Sequence, residues 1–157
     1  MDKKLYVAYG SNLHIEQMAY RCPDAVKVCN GVIKDYALVF RGSRSGAYAT
    51  IIPEKGEEVP VVVWEISTND EQRLDLYEGY PTFYYKRDFT ITRSDTEDEI
   101  TAMGYVMPAS AKIGKPTKAY VAICDQGYYD QGLDSNKLAE AVSRNSYELF
   151  QCTLKSS

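Results

Sequence analysis

The sequence has few of the side chains that build metal centres. His14 is its only histidine, and its four cysteines form no CxxC pair: Cys22, Cys29, Cys124 and Cys152. Zinc sites in proteins are built mainly from imidazoles and closely spaced thiolates. We therefore expect no metal and no cofactor, and we expect the thiols to be reduced and partly buried.

Long apolar runs and an excess of one charge are also missing. The longest apolar run, residues 59–64, is far too short to span a bilayer. The first ten residues lack the apolar segment of a signal peptide. The 18 basic and 22 acidic residues are interspersed, with a net charge of −4, so there is no electrostatic footprint for nucleic acid. We expect a cytoplasmic protein that binds a small molecule, with no nucleic acid and no membrane partner; the oligomeric state stays open.

The composition is that of a folded protein. The chain has 157 residues, of which 45% are hydrophobic and 25% charged, which suits one domain spanning residues 1–157. Fourteen residues are tyrosines. Because a tyrosine ring packs while its hydroxyl donates, many of them are expected on half-buried surfaces or around a cavity.

Strand patterns fill the first two thirds of the chain, and helical patterns fill the last third. The predicted strands cover residues 5–9, 48–52, 59–66, 83–93 and 100–107, with two more within 26–41. The predicted helices cover residues 13–21, 67–78, 117–124 and 137–150. Residues 54–58 are predicted as a turn, residues 125–132 as an irregular segment and residues 152–157 as a frayed tail. This order indicates an α+β fold with a small, curved, mostly antiparallel sheet or barrel flanked by helices.

The chain is organised around residues 5–13, LYVAYGSNL. An apolar strand ends at Gly10-Ser11-Asn12, and a helix follows in which Leu13, Met18 and Ala19 can face inward. Backbone N–H groups at such a turn point the same way and bind carboxylates, phosphates or oxyanions. The glycine indicates either a positive φ angle or the close approach of a ligand. An ordinary turn capped by Asn12 remains the alternative.

Glu78 is the titratable residue of greatest interest. The predicted helix begins with a capping box between Thr68 and Glu71 and ends at Gly79, which is placed for a left-handed cap. Glu78 thus faces the negative end of the helix dipole among aromatic neighbours. Both effects raise a carboxyl pKa toward neutrality, as a general acid/base requires. The alternative is a solvated residue in the last helical turn.

Two other groups carry weaker hypotheses. Ser11 and His14 could form a nucleophile–base pair, but no third group to orient the imidazole is evident. The acidic run at residues 95–99 could hold a divalent cation, although it lacks the spaced ligands of a calcium loop.

The motifs YGSNL at residues 9–13 and LDLYEG at 74–79, followed by YYKR at 84–87, resemble those of the γ-glutamylcyclotransferase-like family. Pro116, Tyr120 and the Gly-Tyr pair at 127–128 are similar to its later segment. The resemblance implies a small β-barrel in which the turn amides bind substrate and the glutamate is the acid/base. It carries these roles to Tyr9, Gly10, Ser11, Asn12 and Glu78, and makes Tyr6, Tyr85 and Tyr120 plausible pocket walls. Residues 134–137 lack a tyrosine that some relatives use, which leaves the substrate open.

The implied reaction needs neither a metal nor an enzyme nucleophile. The α-amino group of a γ-glutamyl compound closes a ring on the γ-carbonyl, giving 5-oxoproline and a released amine or amino acid. One glutamate can serve as base and then as acid. A non-catalytic small-molecule-binding protein on the same fold, or another amide-cleaving or acyl-transfer enzyme, are the alternatives.

Overall fold

A closed five-stranded barrel forms the centre of the protein. The computed structural model describes residues 2–156, with strands β1 (Lys3–Ala8), β2 (Val26–Arg41), β3 (Tyr48–Ser67), β4 (Tyr85–Arg93) and β5 (Glu99–Val106). Their order around the barrel is β1-β3-β2-β4-β5. Neighbours pair antiparallel except β1 and β5, which close the barrel in parallel at Tyr6 and Met103. The predicted α+β barrel is confirmed.

The β2–β3 hairpin is longer and more continuous than predicted. Residues 26–41 form one strand rather than two, and residues 48–67 form one strand across the segment predicted as an acidic turn. The pairing jumps from Lys34–Glu58 to Tyr36–Pro53, so residues 54–57 bulge out of the ladder, and the Gly56 N–H donates to Oδ1 of Asp35 at 3.0 Å. Bulges of this kind bend a strand, which helps a small sheet to close.

Four α-helices flank the barrel: α1 (Ile15–Arg21), α2 (Thr68–Glu78), α3 (Lys118–Gln131) and α4 (Ser135–Ser156). The segment at 125–132, predicted as irregular, belongs almost entirely to α3, and the predicted frayed tail is helical to Ser156, while Ser157 lies outside the described residues. In α3 the burial of Gly127, Tyr128 and Gln131 outweighs weak local propensity, whereas residues 152–155 are exposed and continue the helix already begun. No helix within residues 2–156 combines the length and the apolar character needed to cross a membrane.

The start of the first helix differs from the prediction. Residues 11–13 form one 3₁₀ turn, and α1 begins only after His14, whose Nδ1 accepts a hydrogen bond from the Gln17 N–H at 3.2 Å. Asn12 is therefore not the cap. Met18 is buried as expected, but Ala19 is exposed.

Helix α2 is closed at both ends by its own residues. Its capping box joins Ser67 and Asp70, one residue earlier than the predicted pair Thr68 and Glu71: the Asp70 N–H donates to Ser67 Oγ at 3.1 Å and the Ser67 N–H to Asp70 Oδ2 at 3.2 Å. Gly79 ends the helix at φ 64°, the left-handed cap that was predicted. Glu78 is thereby the last helical residue.

Helix α3 braces the turn that follows β1. A Cβ on Gly127 would lie 2.7 Å from both the Leu13 Cβ and the His14 nitrogen, so only glycine lets the two segments approach this closely. Nε2 of Gln131 also donates to the Leu13 carbonyl at 2.9 Å. The turn at residues 10–14 is thus held by the barrel on one side and by α3 on the other.

Candidate active site

A cavity of about 340 Å³ opens beside this turn. It is bounded by the end of β1, the start of β3, the C-terminus of α2 and single residues of β5 and α3. Its lining residues are Tyr6, Val7, Tyr9, Gly10, Ser11, Asn12, Tyr48, Ala49, Leu76, Tyr77, Glu78, Gly79, Phe83, Tyr84, Tyr105 and Tyr120. Two segments more than sixty positions apart in the sequence therefore share one cavity.

The first N–H groups of the turn belong to residues that line the cavity. The Leu13 N–H donates to the Gly10 carbonyl and the His14 N–H to the Ser11 carbonyl, each at 3.1 Å. The N–H groups at the start of a helical turn have no acceptor within that turn, so those of residues 10–12 are suited to bind an anionic or carbonyl oxygen.

The reason for glycine at position 10 is space rather than a left-handed backbone. Its φ is −128°, so the predicted alternative of a positive φ is wrong. A Cβ there would lie 3.2 Å from the Tyr120 hydroxyl and 3.3 Å from the Ala49 Cβ. Any side chain would therefore intrude between the turn and the opposite wall.

Arg21, which the sequence analysis missed, holds the turn from the end of α1. Its Nη1 donates to Oδ1 of Asn12 at 2.6 Å and to Oγ of Ser11 at 3.1 Å. Its Nη2 donates to the Tyr77 hydroxyl, and its guanidinium carbon lies 3.5 Å from the centre of the Tyr77 ring. A basic residue in the last turn of a helix is common for dipole reasons alone, so the sequence offered no distinct signal for this role.

Glu78 is half-buried on the cavity wall, where burial raises its pKa to about 7 and the nearby Arg21 charge opposes that rise. The predicted shift toward neutrality is confirmed. The carboxylate in turn contributes to the raised pKa values of five tyrosines, so its charge is felt all around the cavity. These tyrosines are Tyr6, Tyr9, Tyr77, Tyr84 and Tyr120.

The tyrosine walls are fixed by hydrogen bonds. The Tyr6 hydroxyl accepts from Nδ2 of Asn12 at 2.8 Å, and the Tyr9 hydroxyl donates to the Tyr105 carbonyl at 2.6 Å. Ala49 anchors two more rings, since its N–H donates to the Tyr120 hydroxyl at 3.1 Å and its carbonyl accepts from Tyr84 at 2.7 Å. These contacts give the cavity a defined shape before any ligand binds.

Tyr85 does not line the cavity. Strand β4 begins at Tyr85, and its side chain is 37% exposed, whereas the preceding Tyr84 is buried and lines the wall. Successive side chains near a strand point to opposite sides, so the choice between two adjacent tyrosines depended on register. Further along β4, Phe89 and Ile91 are both buried.

The weaker hypotheses find no support in the structure. Ser11 Oγ accepts from Arg21, and the His14 imidazole caps α1 through Nδ1, so each side chain has a separate partner. In the acidic run, Asp95 pairs with Arg93 at 2.8 Å. Among residues 2–156 no three histidine, cysteine or acidic side chains are grouped to hold a metal ion.

A small closed barrel whose cavity is lined by this turn and by a carboxyl group with a pKa of about 7 is a candidate acid–base site for a small polar substrate. The chain belongs to the family described as "Gamma-glutamyl cyclotransferase, AIG2-like", whose model matches residues 6–130. The resemblance predicted from the sequence motifs is confirmed.

Individual relatives agree with this assignment. The human protein named gamma-glutamylcyclotransferase is 30% identical over 152 residues, covering 91% of this chain and 80% of the relative. The mouse protein of the same name is 31% identical and covers 92% and 81%. A solved structure titled gamma-glutamyl cyclotransferase superposes with a TM-score of 0.81 at 30% identity, over 88% of this chain and 87% of that one.

Proposed function

We propose that this protein is a γ-glutamylcyclotransferase-type enzyme that converts a small γ-glutamyl amide or amine to 5-oxoproline and releases the amine or amino acid. The relatives bear the name of this activity. The observation that carries the proposal is that Glu78, with its pKa of about 7, lines the same cavity as the amides of residues 10–12.

The turn is suited to bind the charged end of the glutamyl group. Its free N–H groups can donate to the α-carboxylate or to the oxygen of the γ-carbonyl, which becomes an oxyanion as the ring closes. Arg21 fixes the side chains of Ser11 and Asn12. These donors are therefore in place before the substrate binds.

Glu78 would move the proton. As a carboxylate it accepts a proton from the α-ammonium group, and the freed amine attacks the γ-carbonyl carbon to form the new C–N bond. The protonated carboxyl then donates to the leaving nitrogen, the original amide C–N bond breaks, and the second proton of the ring nitrogen passes to the released amine, which leaves as an ammonium group. A pKa of about 7 suits both steps.

The cavity supplies the folded shape that this ring closure needs. An extended γ-glutamyl chain must bend until its amine reaches its own carbonyl. The buried rings of Tyr6, Tyr9 and Tyr84 are held by hydrogen bonds and leave a compact space. Holding a reactant in a near-attack shape contributes a large part of many rate enhancements.

The non-catalytic binding protein is the less favoured alternative. Both compared relatives are named for an enzyme activity. A protein that only binds a ligand also gains nothing from holding a carboxyl group in surroundings that raise its pKa.

The test is to incubate the protein with a panel of γ-glutamyl amino acids and γ-glutamyl amines and to measure 5-oxoproline. Glu78→Gln keeps the shape of the side chain but removes the proton shuttle, so turnover should fall roughly 10²–10⁴-fold. Glu54→Gln, at an exposed position of β3 outside the cavity lining, is the matched control. A folded Glu78→Gln variant with turnover within a few-fold of the unmodified protein would exclude Glu78 as the acid/base.

A further inference from the structure

A line of hydrogen bonds leads from Arg21 to the wall of the cavity. Nη1 of Arg21 donates to Oδ1 of Asn12 at 2.6 Å, and Nδ2 of Asn12 donates to the Tyr6 hydroxyl at 2.8 Å. Asn12 and Tyr6 are each only 4% exposed, and both line the cavity. We call these three residues, Arg21, Asn12 and Tyr6, the donor chain. The donor chain therefore ends on a buried hydroxyl of the cavity wall.

Arg21 fixes the direction of both bonds in the donor chain. A guanidinium group has five N–H groups and no acceptor, so only the oxygen of the Asn12 amide can face it. The amide nitrogen of Asn12 then faces Tyr6, and an NH2 group can only donate. The Tyr6 oxygen must therefore accept this bond, which leaves its own proton for another partner. No acceptor within residues 2–156 takes that proton.

The other buried tyrosines of the lining use their protons within the protein. Tyr9 and Tyr84 each donate to a backbone carbonyl, at 2.6 and 2.7 Å. Tyr105 donates to Oδ1 of Asp75 at 2.6 Å. Each of these hydroxyls has thereby given its proton to a fixed acceptor, whereas the proton of Tyr6 is left for a group inside the cavity.

The lining tyrosines that are less buried do not compete with Tyr6. Tyr48 and Tyr77 are 43% and 51% exposed, so water can take their protons. The proton of the half-buried Tyr120 has an acceptor in the protein: burial raises the pKa of the Cys124 thiol, and a hydrogen bond from Tyr120 opposes that rise. Tyr6 is therefore the buried donor that a ligand would meet.

The donor chain makes Tyr6 a strong donor that keeps its proton. Each hydrogen bond in such a chain polarises the next, so a hydroxyl that accepts from an amide held by a guanidinium donates more strongly. Burial and the Glu78 charge both raise the pKa of Tyr6 well above its ordinary value, so it stays protonated at neutral pH. Tyr6 can thus stabilise a negative charge by a hydrogen bond without transferring the proton.

The γ-carbonyl oxygen is the substrate atom that this donor suits. Glu78 would exchange protons with the attacking and the leaving nitrogen, and both are bonded to the γ-carbonyl carbon as the ring closes. The oxyanion therefore forms beside Glu78, whose charge also reaches Tyr6. Glu78 is protonated while the oxyanion exists, because it has taken the proton of the ammonium group, so it does not repel the new charge.

We infer that Tyr6 is a second catalytic residue, which donates a hydrogen bond to the γ-carbonyl oxygen as the ring closes. When the α-amine attacks the carbonyl carbon, the π-electron pair of the C=O bond moves onto this oxygen, and it returns when the leaving nitrogen departs. Asn12 and Arg21 are positioning residues that act through Tyr6. The inference rests on the proposed cyclotransferase activity and adds the oxyanion donor, which leaves the turn amides for the α-carboxylate.

Tyr6→Phe removes the donor and keeps the ring. With the best γ-glutamyl substrate of the panel, kcat should fall roughly 10²–10³-fold, as for the loss of one oxyanion donor. Affinity for 5-oxoproline, measured by calorimetric titration, should change by less than about tenfold, because one hydrogen bond to a neutral carbonyl contributes little. Tyr128→Phe, which removes the hydroxyl of a buried tyrosine outside the cavity lining, is the matched control and should leave kcat unchanged.

Asn12→Asp reverses the last bond of the donor chain without changing the shape of the side chain. One carboxylate oxygen can still accept from Arg21, but the other now accepts the Tyr6 proton, which is thereby withdrawn from the substrate. At the optimum of its own pH profile, kcat should fall as far as in Tyr6→Phe. In the Tyr6→Phe background the same substitution should lower kcat by a few-fold at most, because two changes that remove one interaction are not additive.

Three results would overturn the inference and leave the cyclotransferase activity in place. The first is a kcat within a few-fold of the unmodified protein in folded Tyr6→Phe or, should that variant not fold, in Asn12→Asp. The second is an affinity for 5-oxoproline that falls as far as kcat in Tyr6→Phe, which would place Tyr6 on the α-carboxylate. The third is an equal effect of Asn12→Asp in both backgrounds, which would assign it to the added charge.

Failure of the proposed function gives a different result. If the unmodified protein forms no 5-oxoproline from any γ-glutamyl compound in the panel, the proposed function is overturned and the inference falls with it.

Discussion

Nη1 of Arg21 lies 2.6 Å from Oδ1 of Asn12, which links the last residue of α1 to the turn that precedes that helix. The same guanidinium donates to the Tyr77 hydroxyl, next to Glu78 in α2. One side chain thereby joins the turn that would bind the substrate to the helix end that carries Glu78, the proposed acid/base. Its charge also keeps the pKa of Glu78 lower than burial alone would set it.

Replacing Arg21 should therefore change the pH dependence of the reaction. In Arg21→Met the pKa of Glu78 rises above about 7 because the opposing charge is gone. Since Glu78 must be a carboxylate to act as base, the acidic limb of the kcat/KM profile should move to higher pH. At neutral pH kcat/KM should also fall about tenfold or more, because a charged hydrogen bond is lost.

Arg21→Lys distinguishes the effect of the positive charge at position 21 from the effect of the hydrogen-bond geometry of the guanidinium. Lysine keeps the positive charge but cannot reproduce the fork of the guanidinium, so the acidic limb should stay near its original pH while kcat/KM still falls. An Arg21→Met profile with an unmoved limb would contradict the electrostatic role. Arg144→Met, which removes an arginine paired with Glu57 outside the cavity lining, controls for the loss of one charge.

The stability of the protein should fall as Glu78 ionises. Its pKa is about 7 in the folded protein, above the ordinary 4.5 of a free side chain. The folded state thus binds more protons than the unfolded state between these two values, so the free energy of unfolding decreases as pH rises through this window. Allowing for the part of the side chain that stays in water, the decrease is on the order of 2 kcal/mol.

Glu78→Gln should remove this contribution. Urea unfolding at pH 5 and at pH 8 measures this contribution directly. Between these pH values the unmodified protein should lose more stability than the variant, so the variant should be relatively more stable at pH 8. Six of the tyrosines that line the cavity have raised pKa values, so they stay protonated over this range. If the difference in the free energy of unfolding between the two proteins stayed constant from pH 5 to pH 8, the Glu78 carboxyl would be solvated and its pKa would not be raised by folding.

Gly10→Ala tests the role of the turn. The added methyl group would press against the Tyr120 hydroxyl and the Ala49 Cβ at 3.2 and 3.3 Å. We expect affinity for 5-oxoproline to fall roughly tenfold, as for a wrongly placed methylene group in a pocket, with only a small change in melting temperature because φ is not positive.

Gly132→Ala is the matched control for this variant. Gly132 ends α3 at φ 70° with open space around the missing side chain, so alanine there costs about 1 kcal/mol of stability and should leave 5-oxoproline affinity unchanged. Calorimetric titration and thermal unfolding on both variants give the comparison. Unaltered affinity in a folded Gly10→Ala protein would move the ligand away from the turn.

Features set by near neighbours in the chain could be predicted. The apolar run before Gly10 makes a strand, and Gly79 ends a helix directly after Glu78. The direction of the pKa shift of Glu78 was also predicted, and its cause is burial, which the aromatic neighbours indicated. The predictions were wrong where two adjacent residues were equally suited to one role. Ser67, not Thr68, caps α2, and Tyr84, not Tyr85, lines the cavity.

The sequence by itself determined the class of protein: ordered motifs at 9–13 and 74–79, a strand-then-helix order and a carboxyl group at a helix end. Only the tertiary structure decided what surrounds that carboxyl group. Arg21 meets Asn12 and Tyr77, and Tyr48 meets Phe83, across separations that no local pattern encodes. Local patterns record the preferences of a few residues along the backbone, whereas the shape and charge of this cavity arise from barrel closure, which brings distant segments to one wall.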